Sequence, residues 1–336
     1  MDLPRGTRFS GLWLVLLTAL FAAWAQAQTC LTHSDMDEPT ASALEGVAKR
    51  YFDMAARGDV ASLKQNAIPA LAANFSSIEA AVKDSQPNFA GAQAQPRPPF
   101  LLKIEGDKAI ESAEFLCGVF SKSGQTANSA AFVIPNLAPG TYGMVTLEIT
   151  GTAKPQTASF VLQQQGPDWK IGGFYVHASQ LAGHDADWFA DKARAFKTKG
   201  QNRDAWLYYL QARELAVPVP FMYTQITDKL YDESQVVKPS DCPVDGKTVD
   251  LVAGGKTYRL TTMFPVAVAE DLDVVVKYQA ADVSHTAETF KDNMAVIHAL
   301  VAKYPELRDA FGGVVARAVE PSGQDYGSML PMKEIK

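Results

Sequence analysis

Between Gln86 and Pro99 the period of the hydrophobic residues changes, and this change constrains the fold more than any other feature of the chain. Upstream, Leu44, Val47, Ala48, Tyr51, Phe52 and Ala55 recur three and four apart, which is one stripe of a helix. Gly58 ends that helix, Asp59 is placed to cap a short second one, and Pro69 suits the first turn of a third. Leu71, Phe75, Ile78 and Val82 then form another stripe. The stretch QPNFAGAQAQPRPP (86–99) is rich in helix breakers and reads as a loop. Downstream, the pattern alternates. FLLKIEG and KAIESAEFLCGVF flank a tight connection at Gly106-Asp107; NSAAFVIP, TYGMVTLEIT, TASFVLQQQ and WKIGGFYVHA follow, each bounded by turn residues. Helices first and an antiparallel sheet after them predict an α+β layer.

In the last strand, Gly172-Gly173 predicts a bend or bulge in a curved sheet. Straight alternation puts Trp169, Ile171, Tyr175 and His177 on one face, with Phe174 and Val176 on the other.

The first 28 residues have the layout of a secretory signal peptide. Arg5 and Arg8 precede a short apolar run, GLWLVLLTALFAA, and a small-residue exit, AWAQAQ. The run is short for a membrane helix, which needs about 20 apolar residues. The mature chain is therefore expected outside the cytoplasm, periplasmic or secreted, with no membrane span. In an oxidising compartment two of Cys30, Cys117 and Cys242 can pair. Cys30–Cys117 is the candidate disulfide, although the pairing cannot be read from sequence. Cys30 as a lipid-attachment site is the alternative, and Ala27-Gln28-Thr29 departs from the usual pattern for it. The chain is 47% hydrophobic and 20% charged, which is globular, and its net charge of −6 with no basic run excludes nucleic acid as a partner class.

The segments LEGVAKRYFDMAARGDVASL and GPDWKIGGFYV resemble the nuclear transport factor 2-like, or cystatin-like, superfamily over roughly Pro39 to Ala178. The resemblance implies a sheet wrapped around helices as a cone, often with a pocket at its open end. Some members of that superfamily are isomerases or dehydratases, and many only bind or dimerise. Further on, Phe189, Ala193, Phe196, Gly200, Ala205, Tyr209, Ala212 and Pro218 follow the spacing of a tetratricopeptide unit. Shifted by the repeat period of about 34 residues, Tyr223 and Leu230 open a second, incomplete unit. One and a half units cannot bury a core alone, so this piece must pack on a neighbour.

After a linker, SQVVKPSDCPVDGK, a third pattern begins. TVDLVA and KTYRLTTMF flank Gly254-Gly255 as a hairpin, PVAVA and LDVVVKYQA are strands, and a helix spans Thr286 to Tyr304. That helix is predicted to bury Ala287, Phe290, Met294, Ile297 and Val301, with GGVVARAVEP as a closing strand and MLPMKEIK as a short terminal one. The expected organisation is thus a signal peptide (1–28), a cystatin-like domain (30–180), tetratricopeptide-like helices (184–235) and a small α+β domain (243–336).

Chemistry-bearing residues are sparse. His177, His184, Asp185 and Asp187 could converge at a domain junction, but the plainer reading is that Asp185 or Asp187 caps the next helix. On the last helix, His285, Glu288 and Asp292 share a face, while His298 points elsewhere, at about 220° from His285. No phosphate loop, nucleophile elbow, zinc-helix or dinucleotide motif occurs, and neither a metal site nor a cofactor is expected. The candidate pocket residues are Tyr51, Trp169, Tyr175 and His177, His177 being the titratable one. The resulting expectation is an exported, non-catalytic assembly that binds a small ligand or a protein partner. The alternative is an isomerase- or dehydratase-like enzyme using the cone pocket, with His177 and Tyr51 or Tyr175 as its groups.

Overall fold

The computed structural model describes residues 28–120, 124–244, 246–269 and 271–336, so the expected leader lies outside the described residues except for its last position, Gln28. Strand β1 (Gln28–Leu31) leads into α1 (Glu38–Ala56), where the Asp37 carboxylate accepts the Thr40 N–H at 2.8 Å. Helix α1 buries Ala41, Leu44, Ala48, Tyr51, Phe52 and Ala55, close to the predicted stripe. Gly58, at φ +70°, turns the chain into α2 (Val60–Gln65), which Asp59 caps through the Ser62 N–H. Then come α3 (Pro69–Ala73) and α4 (Ser76–Phe89). Helix α4 runs four residues into the predicted loop, Gln86 to Phe89. Pro87 lies in its last turn, where a missing N–H costs one hydrogen bond, and buried Phe89 anchors that turn on Phe52 with ring centroids 5.0 Å apart. The rest of the predicted loop holds a short strand, β2 (Gln93–Pro96).

Six strands follow: β3 (Phe100–Ile104), β4 (Ile110–Cys117), β5 (Ala130–Leu137), β6 (Gly140–Thr150), β7 (Gln156–Gln165) and β8 (Asp168–Ala178). The first sheet runs β1-β3-β6-β7-β8, with β2 on the far part of β6. The tight β3–β4 connection does not make a hairpin. Instead β4 pairs with β5 in a second sheet, stacked on the first. Phe100, Leu102, Ile104, Tyr142 and Met144 of the first sheet meet Phe115, Phe132 and Ile134 of the second in one apolar layer. Cys30 and Cys117 are disulfide-bonded across this stack, with Cα atoms 5.1 Å apart.

The opposite face of the first sheet receives the helices. Gly143 of β6 lies directly under Leu44, so that a Cβ there would collide with its Cδ2. This interior is packed with aromatics: Tyr51 and Phe160 at 6.2 Å, and Phe160 and Phe174 at 4.9 Å. The predicted bulge is present in β8, where Ile171 pairs with Leu162 and Gly173 with Val161, leaving Gly172 as the extra residue. An extra residue reverses parity. Trp169, Ile171, Phe174 and Val176 therefore all belong to the helix side, and Tyr175 to the side of the second sheet.

Two short strands, β9 (Gln180–Leu181) and β10 (His184–Asp185), precede α5 (Ala186–Thr198) and α6 (Asn202–Ala216). The two helices turn on Gly200 at φ +77°, and Phe189, Ala193, Phe196, Ala205, Tyr209 and Ala212 are all buried in their contact. Where Tyr223 is expected to open the second helical unit, the chain first forms β11 (Met222–Thr224), which adds to β5 as a third strand. Helix α7 (Gln225–Val237) follows.

The remaining elements are β12 (Val249–Ala253), β13 (Lys256–Val268), β14 (Asp271–Gln279), α8 (Thr286–Lys303), α9 (Leu307–Ala310), β15 (Gly313–Val319) and β16 (Asp325–Pro331). They form a sheet in the order β12-β13-β14-β15-β16, in which α8 crosses over between the parallel strands β14 and β15. The two predicted strands KTYRLTTMF and PVAVA are one strand. Pro265 is tolerated because β12 pairs only as far as Leu260, leaving its missing N–H on an open edge. Helix α8 is rotated from the predicted stripe: Thr289, Asn293, Val296, Ile297, Leu300 and Val301 are buried, while Ala287 and Phe290 are exposed. The reason is Asn293, which accepts from the Tyr278 hydroxyl at 2.8 Å and donates to Ser328 Oγ at 2.9 Å. A single apolar core runs from Phe189 on α5 to Ile335, joining the hairpin to this sheet.

Candidate functional site

The reversed parity of β8 separates the four predicted pocket residues. Tyr51 is fully buried among the helices, donating its hydroxyl to the Trp169 carbonyl at 2.7 Å, and Trp169 packs in the same interior. Burial raises the Tyr51 pKa above its ordinary value. Tyr175 and His177 point the other way, toward α6 and the segment after it. The Tyr175 ring meets Phe221 edge-on at 5.4 Å, and His177 Nε2 lies 2.8 Å from the Glu214 carbonyl oxygen, donating to it in the Nε2–H tautomer. Between the helices and the sheet, Tyr51, Phe160 and Phe174 are in ring contact.

Open space lies instead at the seam where the helical hairpin meets the first two sheets. One cleft of about 760 Å³ is bordered by Arg97, Glu148, Asn128, Gln156, Asp187 and Gln225. Its charges are largely spent internally: Arg97 Nε donates to Glu148 Oε1 at 2.8 Å, and Asp185 caps α5 through the Trp188 N–H at 2.9 Å. A second cleft of about 640 Å³ is bordered by Phe174, Val176, His177, Leu210, Arg213 and the Val217–Pro220 segment. There Arg213 Nε is buried without a hydrogen-bond partner among the described residues, and burial raises the Tyr175 pKa. Pro218 and Met222 border both clefts, so this short extended segment divides them.

Sequence reasoning missed Arg97, Arg213 and the dividing segment. The signal was the run Val217-Pro218-Val219-Pro220, since alternating prolines favour an extended backbone. The other candidate groups do not converge. His184 stacks flat on Trp188 with centroids 3.6 Å apart, and Asp292 accepts from Lys256 and the Tyr258 hydroxyl. Among the described residues no group of three or more His, Cys, Asp and Glu could hold a metal ion, and no helix is long and apolar enough to cross a membrane.

A separate polar cluster is buried where the hairpin joins the C-terminal sheet. Arg203, 6% exposed, donates to Asp241 Oδ1 at 2.8 Å and to Cys242 Sγ at 2.7 Å, and lies flat over the Tyr304 ring at 3.5 Å. Burial pushes the Cys242 thiol up to about 11. Beside it, Asp204 is fully buried and neither carboxyl oxygen has a hydrogen-bond partner among the described residues. Burial first, then the nearby Glu306 and Asp309 carboxylates, pushes its pKa up to about 7.

No protein-family model matches this chain, and neither a curated protein nor a solved structure similar to it is found.

Proposed function

We propose that the protein is an exported binding assembly without catalytic activity. A cystatin-like layer, a tetratricopeptide-like hairpin and a C-terminal α+β domain would together present the seam clefts to a partner outside the cytoplasm. The observation that carries this reading is where the free space lies. The helix–sheet interior is packed with Tyr51, Phe160 and Phe174 in ring contact, while the seam holds open clefts, one bordered by Arg213, whose Nε has no hydrogen-bond partner among the described residues. The leader sequence and the Cys30–Cys117 bond support export.

The alternative, an isomerase- or dehydratase-type enzyme, would need His177 and either Tyr51 or Tyr175 to approach one substrate. Tyr51 lies on the opposite side of the sheet from His177 with its hydroxyl donated to the Trp169 carbonyl, so only Tyr175 and His177, which border the 640 Å³ cleft together, would be left to carry it.

The test is thermal-shift measurement of the purified, disulfide-intact protein against fractions of cell-envelope extract. At least one fraction should raise the melting temperature, and Arg213→Glu should abolish that shift. Fractions that never move the melting temperature at any concentration would sink the reading.

A further inference from the structure

Strand β8 is the edge of its sheet, and half of that edge is already used. Ile68 donates to the Ile171 carbonyl at 2.9 Å and Ile171 donates to the Asn66 carbonyl at 2.9 Å, so the chain has added its own extended segment there. Beyond the bulge the edge is open. Ser179 donates to the Pro155 carbonyl at 3.1 Å, which makes that pair hydrogen-bonded. Antiparallel pairs alternate, so Tyr175 and His177 also bond toward β7, and the N–H and C=O groups of Phe174 and Val176 point away from it. These groups have no main-chain partner among the described residues. Phe174 and Val176 border the 640 Å³ cleft. The segment across that cleft cannot close the edge fully, because Pro218 and Pro220 have no N–H to give.

We propose that this free edge of β8 docks an extended peptide of a partner protein, which adds as a further strand and sets an acidic side chain against Arg213. Unpaired main-chain groups in a row call for another main chain, and alternate side chains of the added strand would rest on Leu210, Val217 and Val219. The acidic residue is chosen by charge: Arg213 borders the cleft, its guanidinium lies over the Tyr231 ring at 5.3 Å, and its Nε has no hydrogen-bond partner among the described residues. The proposal rests on the partner-binding reading above and specifies the site and chemistry of the partner.

The protein, with its disulfide intact, is screened against displayed random peptides of about ten residues, the length of a long strand, and backbone amide exchange is followed. In the free protein the Phe174 and Val176 amides should exchange unprotected. An enriched peptide should carry an acidic residue and slow both amides about tenfold or more. Val176→Pro removes an outward N–H without touching the β7 ladder and should weaken binding about tenfold, one lost hydrogen bond. Arg213→Gln should weaken it independently, which covers the case in which the proline variant does not fold. Protection of both amides in the free protein would overturn the proposal. So would peptides that bind Val176→Pro and Arg213→Gln undiminished and leave both amides unchanged, although partner binding itself would then stand. Absence of any enriched peptide also overturns it, and the extract experiment then decides separately whether the broader reading survives.

Discussion

The two buried junctions of this protein are held together by different physics. The N-terminal layers meet through aromatic and aliphatic side chains and are closed by a disulfide joining two sheets. The hairpin meets the C-terminal sheet through an apolar core too, but that core contains Arg203, Asp204, Cys242 and Tyr304 in direct or near contact. Apolar packing with a covalent tie is indifferent to pH and sensitive to reductant. A junction with an unpaired buried carboxyl is the reverse. Each half of the molecule therefore has its own lever.

The largest expected effect breaks the N-terminal side. Opening the Cys30–Cys117 bond frees a loop of 87 residues, and chain-entropy arithmetic puts the loss at about 4.5 kcal/mol. Cys117→Ser, or reduction, should lower the N-terminal unfolding transition in a denaturant titration and leave the C-terminal one in place. A single transition that shifts as a whole would show that the two junctions are not independent.

Next comes the pH dependence of the other junction. Asp204 has a folded pKa raised from 3.8 to about 7, so the folded state binds its proton more tightly than the unfolded chain does. Its contribution is therefore complete below about pH 3.8 and is lost as pH rises through 7, at most about 4 kcal/mol in all. Stability of the C-terminal transition should fall between pH 4 and pH 8, and Asp204→Asn should flatten that fall. A wild-type profile already flat over this window would remove Asp204 as its cause.

The smallest effect sharpens the reading of Tyr51 as core. Tyr51→Phe keeps the ring and leaves the Trp169 carbonyl without its donor, at a cost of about 1 kcal/mol by equilibrium unfolding. Binding of any partner at the seam should be unchanged, because the hydroxyl lies on the far face of the sheet.

The local features were legible in the sequence, and their consequences in space often were not. The α1 stripe, the Asp59 cap and the Gly254-Gly255 turn, both residues at positive φ, follow from short-range chemistry. The bulge at Gly172 was also legible, but alternation counted straight through it places Tyr175 and His177 on the wrong face. Helix α8 was misaligned because Asn293 reads as a surface residue until Tyr278 and Ser328, far apart in the chain, are seen to satisfy it. The clefts were invisible for the same reason. Arg97 and Asp187, or Val176 and Arg213, border a common cleft only through tertiary packing such as the pairing of β11 with β5, and no periodicity encodes it.

The disulfide also sets a path for mechanical load. Tension entering near Gln28 crosses from Cys30 directly to Cys117 and bypasses the 86 residues between them. It then passes from β4 to β5 and through β11 into the helical hairpin, reaching the seam without unzipping β1 from β3. A partner pulling on the N-terminal end would therefore tug on the walls of the clefts while the helical layer stays slack.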